Sequence, residues 1–337
     1  MSRGARRRQR QQPRTLQVFL IIVLVLLTVC VLVKAFFLKA PEQKAAELPA
    51  QPASSDTDSQ QSPEEQAAQE ALRSHLERKG GFYTILLSGL DDDNGGSDTN
   101  ILVAVDTVNG YVYGVSIPRD SKAIIDGKAR KINYAYNKGG TELLADTVSE
   151  QLGIPVDYTV SVNLKGFTAL VDAIGGVDFD VPINMDYDDP IQNLSIHFKK
   201  GVQHLSGADA LRVVRFRHNN DGSGYGSEDL GRMQTQQKFL KAVAKKMLTI
   251  ENLVTKMPDY ADIFNRYVDT NLSIFDIARF GNAILKMGVD KIDFSTLPNE
   301  WRSPYIYLIP DETLTLVNTY LNPYVEDRTA EDLHLPS

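Results

Sequence analysis

The chain has 337 residues, and its 36 Lys and Arg against 43 Asp and Glu give a formal net charge of −7. The charge is unevenly distributed, because residues 1–38 contain seven basic residues and no acidic one. The remainder holds 29 basic and 43 acidic residues, a net charge of −14. Such a domain does not bind nucleic acid or other polyanions non-specifically, so any basic site within it has to be a local arrangement.

An apolar segment follows the basic N-terminus. Residues 18–38 are apolar apart from Thr28 and Lys34. A helix of this length spans about 30 Å, the thickness of the hydrocarbon core of a bilayer. Arginines before the segment place the N-terminus in the cytoplasm and the rest outside the cell. The pattern predicts a single-pass protein of the cell membrane. A cleaved signal peptide is the alternative, but no small-residue cleavage site follows.

Composition divides the chain into five parts. Residues 1–17 form a basic cytoplasmic tail, 18–38 the transmembrane helix, and 39–79 an extracellular linker rich in Ala, Gln, Glu, Pro and Ser. Residues 80–324 form one domain and 325–337 a C-terminal tail. The linker cannot form a regular core and is typical of a tether. The only cysteine, Cys30, lies in the predicted span, so the outer domain has neither a disulfide nor a cysteine metal site.

Strands and helices alternate through the outer domain. Short apolar runs predict strands, and apolar residues at helical spacing, bounded by caps and glycines, predict helices. The predicted strands are 82–87, 101–105, 111–117, 158–162, 177–181 and one around 292–294; the main helices are 141–152, 164–173 and 234–248. This alternation predicts an α/β fold with a central mixed sheet covered by helices on both faces, an α/β/α arrangement.

Charged residues at the ends of the predicted strands are the candidates for chemistry. Asp98 precedes one strand, and Arg119-Asp120 follows another. Arg215 and Arg217, if they lie on a strand, share a face about 6.6 Å apart and suit the two phosphates of a pyrophosphate. A further group on one helix face is Asp229, Arg232 and Gln236.

Each of these groups also has a purely structural interpretation. Arg119-Asp120 fits an exposed turn, Arg215 and Arg217 the solvated face of an edge strand, and Asp229 with Arg232 a local ion pair. The histidines are scattered, and His197 and His204 are predicted to be surface residues rather than metal ligands. The acidic run that begins at Asp91 lacks the glycine and glutamate register of a calcium loop. Four charged groups together in an acidic domain favour a site over coincidence.

The same residues carry a family resemblance. The sequence resembles the LytR–CpsA–Psr family of Gram-positive cell-envelope proteins in seven motifs, which occur in family order across residues 82–245. The motifs are Ile85-Leu86-Leu87-Ser88-Gly89-Leu90-Asp91, Ser97-Asp98-Thr99, Ser116-Ile117-Pro118-Arg119-Asp120, Lys131-Ile132-Asn133, Val177-Asp178-Phe179-Asp180-Val181-Pro182, Val214-Arg215-Phe216-Arg217, and Gly231-Arg232 through Gln236-Gln237. Two departures from the family pattern are Asp93 and Thr235, where members often carry arginine.

The resemblance implies a function. Members are phosphotransferases that move an anionic glycopolymer, such as teichoic acid or capsular polysaccharide, from a polyprenyl-pyrophosphate carrier in the membrane to peptidoglycan. It implies that Asp98, Arg119 and Asp120 are catalytic and that Asp98 and Asp120 hold Mg²⁺ or Mn²⁺. It also implies pyrophosphate-binding and supporting roles for further residues: Arg119, Arg215, Arg217, Arg232, Lys131 and Gln236 bind the pyrophosphate, and Asp91 and Asp229 support the site.

Two other functions compete with this one. A non-catalytic module that binds polyprenyl-phosphate lipid would need the arginines but not the acidic residues at the positions of the metal site. A membrane-bound transcriptional regulator would need a DNA-binding region, and residues 1–17 are too few to form one. The acidic residues therefore favour the enzyme, and no nucleic-acid partner is expected.

Overall fold

The computed structural model describes residues 41–44, 75–90, 96–191, 194–226 and 228–337. Residues Gln43–Ser337 form one compact unit, which contains every helix and strand named below. The predicted transmembrane helix of residues 18–38 lies outside the described residues. Within the described ranges, no helix is long and apolar enough to cross a membrane.

A six-stranded mixed sheet forms the centre of this unit, in the order β11-β6-β1-β2-β3-β12. Strands β1–β2, β2–β3 and β6–β11 pair antiparallel, whereas β1–β6 and β3–β12 pair parallel. The strands are β1 Phe82–Leu90, β2 Ser97–Asp106, β3 Tyr111–Ile117, β4 Lys122–Ile125, β5 Lys128–Lys131, β6 Tyr158–Asn163, β7 Val177–Val181, β8 Met185–Asp189, β9 Leu194–Phe198, β10 Gly201–Leu205, β11 Val268–Thr270, β12 Ile292–Thr296, β13 Asn299–Arg302 and β14 Tyr305–Leu308.

Helices cover both faces of the sheet. They are α1 Asn133–Leu152, α2 Leu164–Ala173, α3 Gly207–Arg215, α4 Glu228–Met247, α5 Ile250–Thr255, α6 Met257–Tyr267, α7 Ile274–Met287 and α8 Pro310–Leu316. Successive side chains of a strand point to opposite faces. Accordingly Leu86 of β1 packs in a core with Leu144 of α1, whereas Tyr83 packs in a second core against Phe280 of α7. The predicted α/β fold with a central mixed sheet is confirmed.

Several predicted elements have the predicted bounds because local signals define their ends. Helix α2 begins after Asn163, whose side chain accepts a hydrogen bond from the backbone N–H of Gly166. Helix α1 ends at Gly153, which adopts a left-handed conformation with φ 64°. The same helix begins earlier than the predicted residue 141, and a kink at Gly139 and Gly140 separates its first turns from the rest.

The prediction that Arg215 and Arg217 lie on a strand is wrong. Arg215 is the last residue of α3, and Phe216 is extended and buried after it. The helix begins at Ser206, whose hydroxyl accepts a hydrogen bond from the backbone N–H of Asp209. The two arginines flank a buried aromatic residue, and over three residues this pattern resembles a strand. The argument that they share one face of a strand therefore does not hold.

A small hairpin beside the sheet was not predicted. Strands β4 and β5 pair antiparallel around Asp126 and Gly127, both of which have positive φ, 52° and 67°. Two consecutive positive φ values define the turn type that Asp-Gly favours. The hairpin carries Lys131 at its end, next to the candidate site described below.

The chain on either side of the predicted domain also packs against it. Arg78 forms hydrogen bonds of 2.7 and 2.8 Å with the two carboxylate oxygens of Asp157, whose side chain is completely buried. Arg328 is 4% exposed and donates to the backbone carbonyl of His75. Residues assigned by composition to the linker and the C-terminal tail thus contribute buried polar contacts to the compact unit.

Candidate functional site

The candidate site lies at the end of the sheet where β1 and β3 finish and β2 begins, because β2 runs antiparallel to both. A narrow pocket opens there between the sheet and the first turns of α4. We call it the arginine–aspartate pocket; it is lined by Asp98, Asn100, Ser116, Arg119, Asp120, Arg232, Gln236 and Ile306, among others. Five of the predicted site residues, Asp98, Arg119, Asp120, Arg232 and Gln236, therefore line one pocket.

Arg119 lies between the two carboxylates of the pocket. It forms an ion pair with Asp98, and its Nε lies 3.8 Å from Asp120 Oδ1. The side chain of Asp98 is 40% exposed and that of Asp120 is 17% exposed. One cation thus already occupies the space between two acidic groups, and the more exposed acid is Asp98.

Lys131 reaches the same pocket from the β4–β5 hairpin. Its Nζ lies 3.1 Å from Asp120 Oδ1. The backbone fixes this approach, since the N–H of Ile132 donates to the carbonyl of Ser121 at 2.8 Å and the N–H of Ile306 donates to that of Asp120 at 2.9 Å. Asp120 therefore lies between Arg119 and Lys131.

Helix α4 contributes the other wall of the pocket. Arg232 is 8% exposed, and Gln236 lies one turn further along the same face. The amide of Gln236 donates a 3.1 Å hydrogen bond to the carbonyl of Val214. This bond links α4 to the end of α3, where Arg215 and Arg217 are half-buried without lining the pocket themselves.

The neighbouring Gln237 has a structural role that the sequence analysis missed. It is 8% exposed, and its amide donates 2.8 Å hydrogen bonds to the hydroxyl of Ser116 and the carbonyl of Ser295. It thereby joins α4 to β3 and β12 directly behind the pocket. Thr235 is also buried and bonds to the hydroxyl of Tyr225, so it faces away from the pocket.

Three residues singled out in the sequence cannot be placed against this pocket. Asp91 and Asp93 lie outside the described residues. Asp229 belongs to the first turn of α4, but its side chain also lies outside what the structure describes. Their assigned roles stay predictions.

The pocket has lining residues that no motif indicated. Asn100 is 1% exposed, and its side-chain amide has no hydrogen-bond partner among the described residues. The cavity beside it measures about 20 Å³, room for roughly one water molecule. The predicted strand of residues 101–105 begins one residue after Asn100, so nothing in the sequence indicated that this side chain would be buried at the pocket.

The protein supplies only part of the ligand set that a divalent cation needs. Among the described residues, no group of three or more His, Cys, Asp or Glu is placed to hold a metal. Mg²⁺, however, is commonly held by one or two carboxylates while substrate phosphates and water supply the other ligands. Asp98 and Asp120 are two carboxylates at one pocket, and the charged guanidinium of Arg119 lies beside both.

The balance of charge defines the class of protein. Arg119, Arg232 and Lys131 bring three cations to a pocket with two carboxylates, at one end of a mixed sheet. The planar guanidinium groups of the arginines are complementary to phosphate oxygens, and the two neighbouring carboxylates are complementary to a cation bound with the phosphate. Fold and site together define an α/β protein with a cationic pocket at one end of its sheet, whose chemistry is compatible with phosphate.

The chain belongs to the LytR_cpsA_psr family, whose model matches residues 48–322. It is 37% identical over 204 residues to the polyisoprenyl-teichoic acid–peptidoglycan teichoic acid transferase TagU of Bacillus cereus, a match covering 58% of this chain and 63% of that protein. It is 35% identical over 202 residues to the transferase TagV of Bacillus subtilis, covering 57% and 50% of the two chains. The chain thus spans less than two thirds of the length of these relatives.

Other relatives and solved structures agree with this assignment. A regulatory protein MsrR of Staphylococcus aureus is 33% identical over 222 residues, 65% of each chain. The crystal structure of Bacillus subtilis TagV matches with a TM-score of 0.60 and 30% identity, over 72% of this chain and 96% of that one. Bacillus subtilis TagU matches with a TM-score of 0.53 and 26% identity, over 74% and 98%.

Proposed function

We propose that the protein is a phosphotransferase that moves an anionic glycopolymer of the teichoic acid or capsular polysaccharide type from a polyprenyl-pyrophosphate carrier to peptidoglycan. The observation that carries the proposal is the arrangement of Arg119 between Asp98 and Asp120, with Arg232 and Gln236 on the facing helix. The names of TagU and TagV support it.

In this proposal the arginines bind the pyrophosphate. Arg119 turns from its carboxylate partners to a phosphate oxygen, and Arg232 and Lys131 neutralise further negative charge. Arg215 and Arg217 act from the end of α3, which Gln236 links to the pocket. Phosphoryl transfer depends on neutralising the phosphate charge and aligning the reactants more than on a covalent protein nucleophile. These residues are suited to neutralise the charge and to align the phosphates.

The reaction forms one P–O bond and breaks another. The oxygen of an acceptor hydroxyl attacks the phosphorus next to the polymer, the bond to the bridging oxygen breaks, and polyprenyl phosphate leaves. Asp98, as the more exposed carboxylate, is the residue open to take the hydroxyl proton. Asp98 and Asp120 would hold the Mg²⁺ or Mn²⁺, which when bound neutralises charge on the phosphate oxygens.

The proposal also assigns a location. Residues 18–38 anchor the chain in the cell membrane as a single span, with the N-terminus in the cytoplasm and the domain outside. The carrier lipid and peptidoglycan, the partners in this reaction, are then both within reach of the domain.

Two substitutions separate an enzyme from a lipid-binding module. Arg119→Gln removes a charged contact made before and during the reaction, so lipid affinity should fall about ten- to a hundredfold. Asp98→Asn should leave lipid bound while transfer collapses, because a proton acceptor matters mainly once reaction begins. Arg266→Gln, on the surface of α6, is the matched control and should change neither quantity.

The measurements are lipid affinity and transfer rate for each variant, with the full chain in detergent. Transfer by Asp98→Asn at the wild-type rate removes the catalytic role of Asp98. If the wild-type chain binds polyprenyl-pyrophosphate lipid but transfers none of several donor polymers, the lipid-binding module is the correct function.

A further inference from the structure

A second cavity lies on the outer side of Lys131. It is bounded by β5, the first turn of α1 and the start of β14, and its volume is about 340 Å³. Its lining includes Arg130, Lys131, Asn133, Tyr134, Asn137 and Tyr305. We call it the basic–aromatic cleft. Its volume is within the range of small-molecule sites, about 300–1,000 Å³.

The charge of the cleft is opposite to that of the chain. Among the described residues, its lining includes Arg130 and Lys131 and no acidic residue, although the whole chain carries a net charge of −7. Lys131 shares its charge with Asp120 of the neighbouring pocket, so Arg130 is the main source of positive potential in the cleft. The cleft therefore favours an anionic ligand.

The remaining side chains indicate what kind of anion. The guanidinium of Arg130 lies 5.3 Å from the ring centroid of Tyr134, so the pair holds a cation and an aromatic ring on the same surface. Tyr134 is 39% exposed, which leaves a large part of it open to a ligand. The apolar body and polar tip of tyrosine suit a sugar ring, which presents C–H groups on one face and hydroxyls at its edge.

Amide groups complete the set. Asn133 and Asn137 are four residues apart, so they lie on the same face of the first turns of α1. Each side-chain amide has both hydrogen-bond donors and an acceptor. Hydroxyl and acetamido groups of sugars need such paired donors and acceptors. The hydroxyl of Tyr305 donates a 3.2 Å hydrogen bond to the carbonyl of Ala129, which fixes it at the cleft.

The cleft adjoins the arginine–aspartate pocket. Lys131 lines the cleft, and its Nζ is 3.1 Å from Asp120 Oδ1 in the pocket. Tyr305 lines the cleft and the next residue, Ile306, lines the pocket. A ligand in the cleft would therefore be separated by only one side chain, Lys131, from the pocket in which we propose that phosphate binds.

We propose that the basic–aromatic cleft is a subsite for an anionic saccharide next to the reacting phosphates. The proposal rests on the proposed function for its role in transfer, but the binding it asserts is a separate property. Two sources offer this chemistry: the phosphate-bearing donor polymer and the carboxylate-bearing glycan of the acceptor.

Direct binding tests the subsite without requiring turnover. The probes are an N-acetylglucosamine-substituted glycerol phosphate oligomer for the donor source, a muramic acid-containing disaccharide for the acceptor source, and neutral chitobiose. Each is titrated by calorimetry into the full chain in detergent. We expect one anionic saccharide to bind more tightly than chitobiose, and its affinity to fall as salt rises.

The variants locate the binding. Arg130→Gln and Tyr134→Leu should each lower the affinity for the preferred anionic saccharide about five- to tenfold. Lys286→Gln, an exposed cation on α7 at the opposite face of the sheet, removes the same charge and should leave binding unchanged. Thermal unfolding of each variant confirms that the fold is intact.

The outcomes are distinct. Binding lost in the Arg130 and Tyr134 variants supports the subsite, and the saccharide that binds identifies the source. No saccharide binding to the wild-type chain, equal binding by Arg130→Gln and Lys286→Gln, or a preference for chitobiose overturns it. Absence of polymer transfer with cleft binding intact contradicts the proposed function and leaves the subsite standing.

Discussion

Lys131 Nζ lies 3.1 Å from Asp120 Oδ1, and this ion pair joins a strand hairpin to the loop that ends β3. The side chain of Asp120 is 17% exposed and that of Lys131 is 39% exposed. The lysine therefore remains partly open to solvent while it neutralises a largely buried acid. It is the one residue that contacts the arginine–aspartate pocket and also lines the basic–aromatic cleft among the lining residues described.

Replacing Lys131 with Gln should slow transfer. Without its charge, Asp120 attracts Arg119 more strongly, and less of that arginine is available to phosphate. We expect the transfer rate to fall about tenfold, the size of one partly exposed charged contact. Lys128→Gln, at the other end of the same strand and exposed, is the control and should keep the wild-type rate. An unchanged rate in the Lys131 variant would show that this ion pair is dispensable.

The sequence predicted most of the fold because the signals are local. Helix α2 has an asparagine cap and a glycine end, and buried strands have continuous apolar runs. The segment from Arg215 to Arg217 was assigned wrongly because a buried aromatic residue between two charged ones fits a helix end as well as a strand. The β4–β5 hairpin was missed although Asp126-Gly127 is a strong turn signal.

The candidate site was predictable to a similar degree. Charged residues at strand ends converge in the pocket, since antiparallel neighbours bring one strand's end to the next strand's beginning. Asn100 and Ile306 were not predictable, because what brings them to the pocket is long-range packing rather than a motif. The cleft was also missed, since Arg130, Tyr134 and Tyr305 come from three elements and only tertiary structure joins them.

Removal of divalent cations should abolish transfer. If Asp98 and Asp120 hold a metal against the phosphates, excess chelator removes charge neutralisation that the arginines cannot replace. Addition of Mg²⁺ or Mn²⁺ beyond the chelator should restore the rate. Chelator saturated with Mg²⁺ before use is the control for its other effects. Full activity in excess unsaturated chelator would exclude the metal from the mechanism.

Asp157 should be among the most costly residues to replace. Its carboxylate is completely buried and accepts hydrogen bonds from Arg78 at 2.7 and 2.8 Å and from the backbone N–H of Thr84 at 2.9 Å. Asp157→Asn leaves the Arg78 charge without its partner, and we expect unfolding free energy to fall by about 3–5 kcal/mol.

Urea denaturation measures this loss. The exposed pair of Lys241 and Asp293, 3.1 Å apart, gives the matched control. Asp293→Asn should change unfolding free energy by less than about 1 kcal/mol, because water and salt screen exposed pairs. Equal losses in the two aspartate variants would contradict a special role for the buried pair.

His197 should titrate above its ordinary range. A hydrogen bond with Asp186, 2.6 Å from imidazole Nδ1, is the main cause that raises the pKa of His197 above 6.5, and the charge of Asp188 adds to it. Because the folded pKa is raised, the stabilisation of the β8–β9 hairpin is fully present below the unfolded pKa. It is lost as pH rises through the folded value. An NMR titration of wild type and Asp186→Asn checks this, and an identical midpoint in both would refute the cause.

The two adjacent glutamines of α4 should separate function from stability. Gln237 is buried, and its side-chain amide donates 2.8 Å hydrogen bonds to the hydroxyl of Ser116 and to the carbonyl of Ser295. Gln237→Ala leaves that hydroxyl and carbonyl unsatisfied, so unfolding free energy should fall by about 1–3 kcal/mol. Gln236 lines the pocket and is only half-buried, with one hydrogen bond to the carbonyl of Val214.

Gln236→Ala should therefore lower transfer at least severalfold while unfolding free energy changes by less than about 1 kcal/mol. Urea denaturation and the transfer assay, applied to both variants at a temperature where both are folded, provide the comparison. Each variant is the control for the other, since the same side chain is removed one residue apart. If Gln236→Ala destabilises the fold as much as Gln237→Ala and keeps full transfer, Gln236 is a structural residue and the facing wall of the pocket contributes through Arg232 instead.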